Sequence, residues 1–270
     1  MKKTLMMLGL GASLAQSVEA SCSARDDALV TLVRTKGAST WQGESIPEQF
    51  QQTFESFPGH IEVTLDGDRA PSALMLRGSE EPTSGARAHH PLTTAHMAEL
   101  SRFLEAHKAT LTVFHMAGYT VRGDLGQELG KNLATLTQLA SLTLEENAIP
   151  AHSLASVLSL LSRVSSFALL DTSRFHDWPE TFVPDLTTAV EAAPRLRHFS
   201  LAVPPMRQAS LENLVEALGA KKGIEVSLTF PSAARELCTQ TLKSYLGDNP
   251  VITDTPKALT VCASPVRARH

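Results

Sequence analysis

The chain has 270 residues, 43% of them hydrophobic and 19% charged, which is the composition of a folded chain and not of a disordered one. A net charge of −4 and an aromatic content of 5% supply neither the basic surface nor the stacking platform that nucleic-acid binding requires.

The first twenty residues read as a removable signal peptide of bacterial style. Lys2 and Lys3 give a positive start, and Thr4 to Ala15 is mostly apolar but too short to span a bilayer. Val18-Glu19-Ala20 suits cleavage after Ala20. Cleavage there removes two basic residues and one acidic one, leaving a mature net charge of −5. The expected location is the periplasm or the exterior. A lipoprotein anchored through Cys22 is the second reading, and Glu19 stands against it where an aliphatic residue is wanted. No later stretch is long and apolar enough for a membrane span. In an oxidising compartment Cys238 and Cys262 are the expected disulfide, and Cys22 is then left over. The sequence has no CxxC and no paired Cys/His spacing, and His89, His90 and His96 read as surface histidines. Neither a metal nor a cofactor is expected.

Residues 21–57 read as an N-terminal cap, with a strand over Ala28–Val33 and a helix over Pro47–Phe57 that puts Phe50, Phe54 and Phe57 on one side. "HIEVTL" then gives a strand carrying Val63 and Leu65. Ala73–Leu76 is an extra short strand, and Arg77–Pro91 is a surface loop without apolar periodicity. A helix over Thr93–Lys108 has Met97, Leu100, Phe103 and Leu104 on one face. "ATLTVF" follows as a strand with Leu111 and Val113 inward. "LASLTLEENAI" (Leu139–Ile149) is the clearest strand and turn. A helix over Ser153–Ser162, with Ser153 as a candidate cap, leads to the strand of Val164, Phe167 and Leu169. Pro179–Ala192 is helical and precedes the strand of Leu196, Phe199 and Leu201. Ser210–Leu218 is helical, with Gly223 as its stop, and precedes Val226 and Leu228 in "GIEVSLTF". A last helix is expected over Ser232–Leu246, and residues 251–270 form a C-terminal cap and tail.

Leu139–Ile149 spells L-x-x-L-x-L-x-x-N-x-I, and weaker copies recur. Counted from Leu111 through Leu142, Phe167 and Phe199 to Val226, the steps are 31, 25, 32 and 27 residues. Over roughly residues 58–250 the chain resembles a leucine-rich repeat protein, and its long helices resemble the ribonuclease-inhibitor-like branch. That resemblance implies an α/β fold: an open, curved solenoid of strand–turn–helix units with a parallel sheet on the concave side. Asn147 stands where the family's ladder asparagine stands. The aligned Met116, Thr172, Pro204 and Pro231 depart from it, which implies an irregular stack.

Alternation in each strand turns the residue between the two apolar positions to the other face. Those residues are Thr64, Thr112, Thr143, Ala168, Ser200 and Ser227, flanked among others by Glu145 and His198. Small hydroxyl side chains also merely tolerate strand crowding. Read functionally, Thr112, Thr143, Glu145, His198, Ser200 and Ser227 form a smooth, weakly acidic surface for a protein partner. Trp178 in "RFHDWPE" is a candidate anchor in a turn. The expected function is therefore non-enzymatic protein–protein interaction by an exported chain. The competing reading is a (β/α)-barrel hydrolase that uses His115, Glu145, Glu146 and Asp171 at strand C-termini. Against it stand short alternating strands, where barrel strands usually read as continuous apolar runs.

Overall fold

The computed structural model describes residues 30–34, 53–78, 90–170, 181–203, 206–221, 223–231, 251–254 and 258–263. In chain order the strands are β1 (Val30–Arg34), β2 (His60–Leu65), β3 (Pro71–Arg77), β4 (His90–Pro91), β5 (Val113–Ala117), β6 (Tyr119–Thr120), β7 (Ser141–Glu145), β8 (Ser166–Leu170), β9 (His198–Ala202), β10 (Glu225–Pro231), β11 (Val251–Asp254) and β12 (Ala258–Ala263). The helices are α1 (Thr94–Ala106), α2 (Leu125–Thr135), α3 (Ala151–Leu158), α4 (Phe182–Glu191) and α5 (Gln208–Gly219), and a 3₁₀ turn at Ser159–Ser162 follows α3.

The fold is mixed α/β with one mostly parallel sheet, in the order β1-β2-β3-β5-β7-β8-β9-β10-β12-β11. Strands β3 to β10 of that order run parallel. An antiparallel pairing closes each end: β1 and β2 before β3, and β12 and β11 after β10. The first strand does not pair with the last, so the sheet is open and no barrel forms. The barrel architecture considered from the sequence is thereby corrected.

The parallel strands are in register. Leu74, Phe114, Leu142, Phe167, Phe199 and Val226 form one row, and Leu76, Met116, Leu144, Leu169, Leu201 and Leu228 form the row two residues on. Both rows are buried and belong to one continuous core with the apolar faces of the helices. The helices lie side by side in sequence order, each packed on the next. Period-two strands and period-3.6 helices thus present their apolar stripes to the same interior.

Two strand assignments change. The inward residues of β5 are Phe114 and Met116, because His115 pairs with Thr143, so Leu111 stands at the first position of L-x-x-L-x-L and not at the fourth. Val63 lies on antiparallel β2, and the first parallel strand is β3, where Pro71, Leu74 and Leu76 keep the same spacing.

Several local expectations change as well. Phe54 has φ 61°, so the chain is not helical there, and residues 47–52 of that expected helix lie outside the described residues. Ser153 does not cap a helix. Pro150 holds the N-cap of α3, and Ser153 is buried inside it. Gly223, at φ +75°, lies beyond the end of α5 in the turn to β10. Thr93 caps α1: its hydroxyl accepts from the His96 N–H, and His96 Nδ1 accepts from the Thr93 N–H. The expected helix over Ser232–Leu246 lies outside the described residues.

Candidate functional site

The face of the sheet away from the five helices (the far face) is built by the alternate residues of each strand. Its central row runs Met75, His115, Thr143, Ala168, Ser200 and Ser227. Glu62 of β2 and Cys262 of β12 extend that row at the backbone level. The row on one side is Ala73, Val113, Ser141, Ser166, His198 and Glu225, and on the other it includes Arg77, Ala117, Glu145, Leu170 and Ala202.

Thr143 and Ser227 are half-buried on this face, Glu145 is half-buried, and His198 lies close to its edge. Ser200 is only 6% exposed and Ala168 4%, so the middle of the row offers little surface of its own. Thr112 is not in the row. It precedes β5, and its hydroxyl donates to the Ser72 carbonyl at 3.0 Å. Its place on the far face is taken by His115, which had been read as following the strand.

Three histidine–carboxylate pairs mark the far face among the described residues. His60 Nε2 is 3.8 Å from Glu62 Oε2 on β2. His115 Nε2 on β5 is 3.5 Å from Glu145 Oε2 on β7, a near contact that falls short of a hydrogen bond. His198 Nδ1 on β9 is 2.8 Å from Glu225 Oε2 on β10, where the two residues are direct register partners. The structure thus brings together His115 and Glu145, and His198 and Glu225. The first pair had been considered only as barrel chemistry. The second was legible only as two separate polar positions, because the register that aligns them was not known.

Glu146 stands apart. It adopts the left-handed region at φ 48°, and its N–H donates to the Leu170 carbonyl, so it is a turn residue next to the strand end. Gly118 has the matching place one unit earlier, with φ 76° and its N–H on the Glu145 carbonyl. Asp171, Trp178 and Cys238 lie outside the described residues, so neither the turn anchor nor the disulfide with Cys262 has a described geometry.

Asn147 is the strongest buried polar feature. It is 2% exposed, its Nδ2 donates to the Met116 carbonyl at 2.6 Å, and its Oδ1 accepts from the Tyr119 N–H at 3.1 Å. It therefore ties its own turn to the preceding one. The residue in its position one unit earlier is Tyr119, not Met116. The Tyr119 hydroxyl donates to the Pro58 carbonyl at 2.7 Å, and burial holds its pKa well above the usual phenol value.

On the helical side, a groove of about 650 Å³ lies between α4 and α5, lined by polar residues such as Thr187, Thr188, Asn213 and Glu216. Lys221 Nζ, which lines it, donates to the carbonyls of Glu191 and Ala193. Among the described residues no three His, Cys, Asp or Glu side chains converge as metal ligands, and no helix is long and apolar enough to cross a membrane. No family model matches the chain, and no curated protein matches it.

Proposed function

We propose that this chain is an exported leucine-rich-repeat-like solenoid that binds a partner protein through the far face of its sheet. The observation that carries the reading is the in-register stack of parallel strands, each turning two apolar residues to the helices, with the short side chains of Thr143, Ala168, Ser200 and Ser227 on the other side from β7 to β10. Repetition sets equivalent positions in lines across neighbouring strands, which suits recognition of an extended partner surface. The Asn147 bonds to the preceding turn support the family likeness, since they link successive units through buried backbone groups. The order of lysines, apolar run and small-residue site in residues 1–20 supports export.

The test is affinity capture from periplasm and from host lysate with the mature chain, repeated with Thr143→Arg. Thr143 is half-buried and points away from the core, so an arginine there should leave folding intact and remove the captured partner. A partner retained at full yield by Thr143→Arg would place binding elsewhere. The contact of His115 with Glu145 keeps a second reading in play, a hydrolytic dyad on the same face. Release of a chromogenic ester or glycoside that vanishes in His115→Gln would favour it.

A further inference from the structure

We draw no further inference here: the strongest candidate, the groove of about 650 Å³ between α4 and α5 on the helical side, carries the carboxylates of Glu191 and Glu216, and none of its polar lining side chains is buried or shows what would bind there.

Discussion

Asn147 shows how much one side chain holds when the backbone leaves a gap. The turn after β7 approaches the turn after β5, and two buried backbone groups there, the Met116 carbonyl and the Tyr119 N–H, have Asn147 as partner. Asn147→Ala removes both bonds and leaves both groups buried, so it should cost about 2–4 kcal/mol of stability in urea unfolding. The asparagine was legible from its place in L-x-x-L-x-L-x-x-N, but its partners were not, because the preceding unit had been aligned three residues out of place. His107 is a second residue-scale case. It caps the C-terminus of α1, where a cation is favoured, yet its burial against Phe103 depresses its pKa. The unfolded chain therefore takes up the proton first. The contribution of His107 is unimpaired above the ordinary histidine value of about 6.5 and turns against folding as pH falls through the depressed folded value. Thermal melts from pH 7.5 to pH 5 should show a shallower acid loss in His107→Gln than in the wild type.

At the scale of elements, periodicity was the reliable signal. Helices α1, α4 and α5 lie close to where apolar spacing put them, and so do strands β7, β8 and β9. Helix α2, "LGQELGKNLAT", was not among the expected elements, and Gly126 and Gly130 lower its helix propensity. The structure gives them a role: α2 packs on α3 so closely that a Cβ on Gly126 would lie 2.5 Å from the Ser153 Cβ, and one on Gly130 2.5 Å from the Ser156 Cβ. Gly130→Ala should therefore lower stability by about 1–2 kcal/mol in chemical denaturation. The intrinsic gain of about 1 kcal/mol from alanine in a helix is outweighed by the clash. Ser153→Ala should be neutral or slightly stabilising, since the Ser153 hydroxyl is buried without a hydrogen bond. The small sheet of β4 and β6 was also missed, because two residues carry no alternation to read, and the pairing of β11 with β12 falls in residues 251–270, which were read as cap and tail.

At the scale of the molecule, the open sheet separates a face that holds the fold from a face free to vary. Leu142 is fully buried, and Leu142→Ala should cost about 2–5 kcal/mol. Thr143, its neighbour in β7, points the other way, so Thr143→Arg should leave the melting temperature within about 2 °C of the wild type. An open parallel order was legible in the recurring spacing. The antiparallel closures at both ends were not, because "HIEVTL" copies "GIEVSL" in sequence while running the opposite way in the sheet. The histidine–glutamate pairs also escaped, since pairing across strands depends on register, and register is a property of the whole stack. The most direct test is a photo-crosslinking amino acid placed in turn at Thr143, Ser227, Thr188 and Asn213, followed by partner capture. Adducts from Thr143 and Ser227 alone are the expected result, and adducts from Thr188 or Asn213 on the helical side, with none from the sheet, would contradict the far face as the binding surface.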